Sequence, residues 1–157
     1  MVKKIAVVAV ALLATALGLL ISPSPAHATN GDVTYTVNVG YIAFKTADGV
    51  LRAEMQNVKV VFWKNTIDGV YWEVVTGQLR DRSTDGYCAK SRYLGGTTYY
   101  GTECSGVWKD IDATLSDVHC TCGESVEVKV YRNTSGNNNF ISGESAGYGI
   151  ARTPSNW

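Results

Sequence analysis

The stretch DVTYTVNVGY, Asp32 to Tyr41, decides the fold class. Val33, Tyr35, Val37, Val39 and Tyr41 fall on one side of a two-residue repeat; Thr34, Thr36 and Asn38 fall on the other. Successive side chains of an extended chain point to opposite faces, so this alternation describes a strand with one buried face. The same period returns downstream. In VKVVFWK (58–64), Val58, Val60 and Phe62 alternate with Lys59, Val61 and Trp63. GVYWEVV (69–75) repeats the theme, and in SVEVKVYR (125–132) Val126, Val128 and Val130 oppose Glu127 and Lys129. β-Branched and aromatic residues dominate these runs, as strands prefer.

Turn signals separate the runs: ADG at 47–49, IDG at 67–69, TDG at 84–86, LGG at 94–96 and NTSGNNN at 133–139. Short strands punctuated in this way predict an all-β fold, an antiparallel β-sandwich of Ig-like or jelly-roll-like kind. VLRAEMQN (50–57) reads equally as a helical turn or a bulged strand. No convincing helix and no strict repeat is present after the N-terminal segment.

That segment has a different character. MVKK leads into an uncharged apolar run from Ile5 to Ile21, followed by SPSPAHA. A basic start, an apolar middle and small residues at Ala26 and Ala28 have the design of a secretory signal, predicting residues 1–28 as a signal peptide and 29–157 as a single domain. Pro23 and Pro25 break the apolar helix just before the cleavage point, which favours removal over a retained anchor. The tail ARTPSNW carries no sorting or anchor signal. The expectation is a secreted, extracellular protein.

The whole chain has 14 basic and 14 acidic residues. Loss of Lys3 and Lys4 leaves 12 basic against the same 14 acidic. No basic patch points to nucleic acid and no basic amphipathic helix to a membrane surface. About 129 residues suffice for one domain with a real core, not two.

Cys88, Cys104, Cys120 and Cys122 make an even count in a secreted chain, so disulfides are the expectation. YCAKSRYLGGTTYYGTEC reads as a hairpin turning near Gly95 and Gly96, which brings Cys88 opposite Cys104 and leaves Cys120 and Cys122 for each other. The competing arrangement ties Cys88 to one of that pair and Cys104 to the other. On the strand from Tyr87, the faces are Tyr87, Ala89, Ser91 and Tyr93 against Cys88, Lys90 and Arg92. The charged neighbours put the bridge on a partly solvated face or sheet edge. VHCTCGE also groups His119, Cys120 and Cys122, all capable metal ligands. Structural zinc wants four ligands and a wider cysteine spacing, and a redox dithiol wants C-x-x-C, so neither a metal nor a cofactor is expected.

GESAG, Gly143 to Gly147, matches the G-x-S-x-G pattern that presents a nucleophilic serine. That motif requires a strand, a sharp turn and then a helix, with a histidine downstream. AGYGIARTPSNW is not that helix, and His119 lies upstream. Ser145 is therefore expected in a turn between short strands NFIS and YGIA, with no catalytic role. Asp81, Asp85, Asp110, Asp112 and Asp117 sit mostly at turn positions, and their spacing singles out no buried pair for glycoside hydrolysis and no D-x-D-x-D-G calcium loop.

VTGQLRDRSTDGYCAKSRY, with TECSG after it, resembles small secreted actinobacterial β-rich proteins of uncharacterised function. They share a V-x-G-x-(L/V)-x-D-x-x-(S/T)-D-G-x-C-A segment, represented here by Val75, Gly77, Leu79, Asp81, Thr84, Asp85, Gly86, Cys88 and Ala89. The likeness covers about 30 residues and implies a disulfide-stapled sandwich with Cys104 as the partner of Cys88. It implies no agreed activity. Where the family places a further cysteine after a late V-x-V strand, this chain has Tyr131.

Two function classes follow. The first is a non-enzymatic extracellular binding domain. Its candidate ligand-binding aromatics are Trp63, Trp72 and Trp108, and its unknown ligand a polysaccharide or a protein. Lys59 and Glu73 mark solvent faces in this reading, and Trp63 shares a face with Lys59. The second is a small secreted hydrolase; a secreted toxin or inhibitor is a further alternative.

Overall fold

The computed structural model describes residues 32–65, 67, 71–95, 97–117 and 125–155. The predicted signal peptide, His119, Cys120, Cys122 and Trp157 lie outside the described residues. Eight strands are present: β1 (Asp32–Lys45), β2 (Leu51–Asn65), β3 (Tyr71–Asp81), β4 (Cys88–Leu94), β5 (Thr98–Glu103), β6 (Lys109–Asp117), β7 (Ser125–Asn133) and β8 (Gly147–Arg152). They form two antiparallel four-stranded sheets, ordered β1-β2-β3-β6 and β5-β4-β7-β8. No helix occurs among the described residues. One hydrophobic core lies between the sheets, built from Met55, Val60, Phe62, Val75 and Leu79 on one side and Tyr93, Val126, Val128 and Val130 on the other.

Alternation sets which side chains enter that core, and two bulges reset it. Gly40 adopts φ +84° and faces Val58 across a break in the β1–β2 register. Before it, Tyr35, Val37 and Val39 pack on the core; after it, Ile42 and Phe44 do. Tyr41 is thus not on the inward face that strict alternation predicted; it is 57% exposed. Glycine permits the positive φ on which this phase change depends. Asn57, at φ +54°, is the extra residue of the bulge in β2. Ala53 and Met55 point inward before it, and Val58, Val60 and Phe62 after it. The segment that read equally as helix or bulged strand is the bulged strand.

Turn chemistry closes the first hairpin where expected. The ADG turn joins β1 to β2, with the Gly49 amide donating to the Thr46 carbonyl at 2.8 Å. The TDG turn instead carries the chain from β3 in one sheet to β4 in the other. At the same end of the domain Gly147, opening β8, passes against β1. A Cβ there would stand 2.2 Å from the Ala43 carbonyl oxygen, so only glycine allows the two edges to meet.

Cys88 and Cys104 form the bridge, with an S–S distance of 2.04 Å and Cα atoms 4.4 Å apart. It ties edge strand β5 to β4, on the sheet edge that the charged neighbours indicated. The face around it is less solvated than expected. Lys90, on the same side as Cys88, has no exposed surface. The loop after β7 folds over it, so its ammonium donates to the Ser135 carbonyl at 2.6 Å and to Thr102 Oγ1 at 2.9 Å. The same loop covers Tyr131, whose hydroxyl donates to the Asn138 carbonyl at 2.7 Å and whose ring meets Phe140. Burial lowers the Lys90 pKa, because the charged form gives up water for neutral acceptors.

Glu73 is a second departure. It is buried among inward-facing residues of β3, not solvent-facing. Val75 and Leu79 fix the phase of β3, and that phase carries Glu73 inward at the end of the core, beside Gly95.

Removing the bridge by Cys88→Ala with Cys104→Ala is expected to cost about 3 kcal/mol of unfolding free energy on the loop-entropy estimate. Urea titration of the oxidised protein and the double variant measures it. Lys90→Met is expected to cost about 1–3 kcal/mol, because it removes the charged hydrogen bonds that tie β4 to Thr102 and to the Ser135 carbonyl. It should also raise hydrogen exchange across 134–140, whereas unchanged protection there would show that Lys90 does not hold the loop.

Candidate functional site

The outer face of the first sheet is built by the residues that alternate away from the core. On β2 these are Glu54 and Gln56 before the bulge, then Lys59, Val61 and Trp63; on β3 they are Trp72, Val74, Thr76, Gln78 and Arg80. Trp63 and Trp72 are directly paired across β2 and β3. Their rings stack with centroids 5.7 Å apart and planes 7° from parallel, and both remain half-exposed. Beneath them Val61 pairs with Val74 and extends the apolar strip. Further along, Gln56 donates to Gln78 Oε1 at 2.8 Å, and Gln78 donates to Asp110 Oδ1 at 2.8 Å. This chain of oriented amides crosses three strands. The face therefore combines two flat rings with a row of directional donors and acceptors.

Trp108 shares the face but not the cluster. Its ring is covered by the Arg80 guanidinium, 4.8 Å from the ring centroid. Arg80 lies eight residues from Trp72 on the same strand, roughly 26 Å at about 3.3 Å per residue. Arg80 and Arg82 both pair with Glu54, at 3.1 and 3.4 Å, and the Tyr41 hydroxyl donates to the same carboxylate at 2.7 Å. Trp108 is thereby part of a closed polar cluster. Of the three candidate tryptophans, the structure joins Trp63 to Trp72 and sets Trp108 apart.

GESAG lies elsewhere, on a cleft of about 600 Å³ between the β1–β2 turn and the 142–146 loop. Lys45, Asp48, Arg52, Arg132, Glu144 and Ser145 line it. Strand β8, not a helix, follows Ser145, so a nucleophile elbow is not formed. NFIS is not a strand either; it is irregular chain ending in a turn in which the Glu144 amide donates to the Ile141 carbonyl. The phase-setting apolar neighbours of a strand are missing there. Glu144, the acid beside Ser145, is held by Arg132, whose Nη2 donates at 2.6 Å and Nε at 3.1 Å. The other side of Arg132 donates to Asp85, which also pairs with Arg52 at 3.5 Å. Burial raises the Asp85 pKa, but Ser83, the Tyr87 amide and Arg132 together hold it below its ordinary value. The arrangement is a clasp that fastens the β3–β4 turn to the 142–146 loop.

Two buried carboxylates escaped the spacing argument. Asp81 and Glu103 flank the disulfide hairpin, each almost without exposure. Each is capped two residues on: Asp81 accepts from the Ser83 amide at 3.0 Å, and Glu103 accepts from the amide and hydroxyl of Ser105. Burial pushes the Asp81 carboxyl above its ordinary value, with the Asp85 and Glu103 charges adding to that effect. The acid-x-serine pattern, present at both 81–83 and 103–105, is the signal that marks them. Among the described residues no group of three His, Cys, Asp or Glu side chains is placed to hold a metal ion. No family model matches this sequence, no curated protein matches it, and no solved structure matches it.

A double-mutant cycle of Trp63→Ala and Trp72→Ala is expected to give a coupling of about 0.5–1.5 kcal/mol from ring stacking, read by denaturant unfolding. The clasp gives a pH dependence of known sign. Asp85 binds its proton less readily when folded, so its stabilising contribution is complete above the unfolded carboxylate pKa of 3.8 and is lost as pH falls through the lower folded value. Asp85→Asn should flatten the acid limb of the stability curve; an unchanged limb would remove Asp85 from that role.

Proposed function

We propose that the chain is a secreted, non-enzymatic binding domain that holds a polysaccharide on the outer face of the β1-β2-β3-β6 sheet. The observation that carries this reading is the stacked, half-exposed Trp63–Trp72 pair on an open sheet face. Flat rings of this kind cover the apolar faces of sugar rings, while the Gln56–Gln78–Asp110 row offers directional partners to hydroxyl groups. The disulfide agrees with an oxidising, extracellular setting after removal of residues 1–28. No cofactor enters, and the likeness to secreted actinobacterial proteins suggests the source. A protein ligand on the same face is the competing occupant.

Sedimentation with insoluble cellulose, chitin and xylan tests the reading. Retention is expected on at least one polymer. Trp63→Ala and Trp72→Ala should each weaken it about thirtyfold, the effect of removing a central aromatic anchor. Trp108→Ala should leave it near the parent level. Absence of retention on all three polymers, with the fold intact, would end the polysaccharide reading.

A further inference from the structure

The opposite sheet carries a second surface of different chemistry. Register places Tyr100 of β5 beside Arg92 of β4, Arg92 beside Lys129 of β7, and Lys129 beside Tyr148 of β8. The four form one straight row across the sheet. With about 4.8 Å between strands, the row spans roughly 14 Å. Each cation sits near a ring: Arg92 is 5.8 Å from the Tyr100 centroid and Lys129 is 5.9 Å from that of Tyr148. Ring contact holds the two heads in place at the surface. Tyr100 and Tyr148 are both exposed, Tyr148 by 53%.

The two halves of the row differ in their partners. Lys129 pairs with Glu127 at 2.9 Å, and the Tyr148 hydroxyl donates to the same carboxylate at 3.4 Å. Glu127 thus shows that a carboxylate fits this cation–tyrosine arrangement. Arg92 makes no such direct pair: the Glu127 carboxylate feels its charge only at longer range, and its Nε is buried without an acceptor. A guanidinium half-exposed on the sheet face, beside an occupied cation site of the same design, has no carboxylate in direct contact.

We propose that this row binds a carboxylate-bearing polysaccharide, with one uronate carboxylate on Arg92 and the flanking sugar rings along Tyr100 and Tyr148. Guanidinium recognises carboxylate through paired N–H donors, which selects a carboxylate over a neutral hydroxyl. The row has only two cations and one resident acid, and a nucleic acid needs a broader basic stripe. An acidic peptide would use the cations but not the ring faces. The site is independent of the tryptophan face on the other sheet.

Native gel electrophoresis with polygalacturonate in the gel tests the proposal, and its methyl-esterified form is the matched control. Retardation is expected with the acid polymer, absent with the ester, and weakened by salt. Arg92→Gln should reduce binding at least about tenfold, with Arg92→Lys intermediate. Glu127→Gln should strengthen binding about two- to fivefold, because it frees Lys129 for the ligand. A purely structural role for the row would not give that gain, and the substitution is at an exposed position, so it serves if Arg92→Gln fails to fold. Trp63→Ala should change nothing here, which separates this outcome from that of the polysaccharide reading for the other face. The proposal is overturned by equal retardation in the esterified polymer, by Glu127→Gln binding no better than the parent, or by equal competition from polyglutamate or DNA.

Discussion

Everything on the first sheet depends on the paired irregularity at Gly40 and Asn57. Both long strands switch their buried side partway along, and they do so at neighbouring positions in the hairpin. A switch in one strand alone would leave one set of apolar residues facing water for half the hairpin. Because the two switches coincide, Ile42 and Phe44 enter the core together with Ala53 and Met55, while Val37 and Val39 share it with Val58 and Val60. The position of Trp63 follows directly. It points outward because Val60 and Phe62 point inward, and that phase is fixed only beyond Asn57. Shifted by one residue, the tryptophan pair would lie inside and the core valines outside.

The sequence was readable wherever a two-residue repeat ran unbroken. Val126, Val128 and Val130 have no exposed surface, and their neighbours Glu127 and Lys129 lie outside, as alternation alone requires. The bridge between Cys88 and Cys104 followed from a local hairpin, so its pairing needed no tertiary information. Tyr41 was misread because one glycine can either continue a strand or reset it, and the pattern before Gly40 does not say which. Glu73 and Lys90 were misread for another reason. Their types announce solvent, yet Glu73 follows the two-residue phase of buried Val75 on its own strand, and Lys90 is enclosed by the distant loop after β7. Burial imposed by a distant loop leaves no trace in local periodicity.

The candidate surfaces divide in the same way. The Trp63–Trp72 contact needs the β2–β3 register, which the turn signal at 67–69 hinted at without specifying. The row from Tyr100 to Tyr148 needs three registers at once, and its residues are scattered from β5 to β8 with no motif in common. GESAG is the reverse case: a compact motif whose residues carry a structural job, because Arg132 claims Glu144 and a strand follows the serine. Motif spacing describes what a short segment is able to form; the partners supplied by the rest of the chain decide what it does.

The meeting of Gly147 with the Ala43 carbonyl has a consequence for the order in which the domain assembles. It joins the last strand to the first, the longest-range closure in the fold, and long-range closures form late because the loop they close carries the greatest entropic cost. The disulfide lies wholly inside a short local hairpin. A chain emerging N-terminus first can therefore oxidise Cys88 and Cys104 before β8 is available to seal the sandwich. Until β8 docks, β1 presents an open edge, and that interval is when this protein is most exposed to pairing with a neighbouring copy.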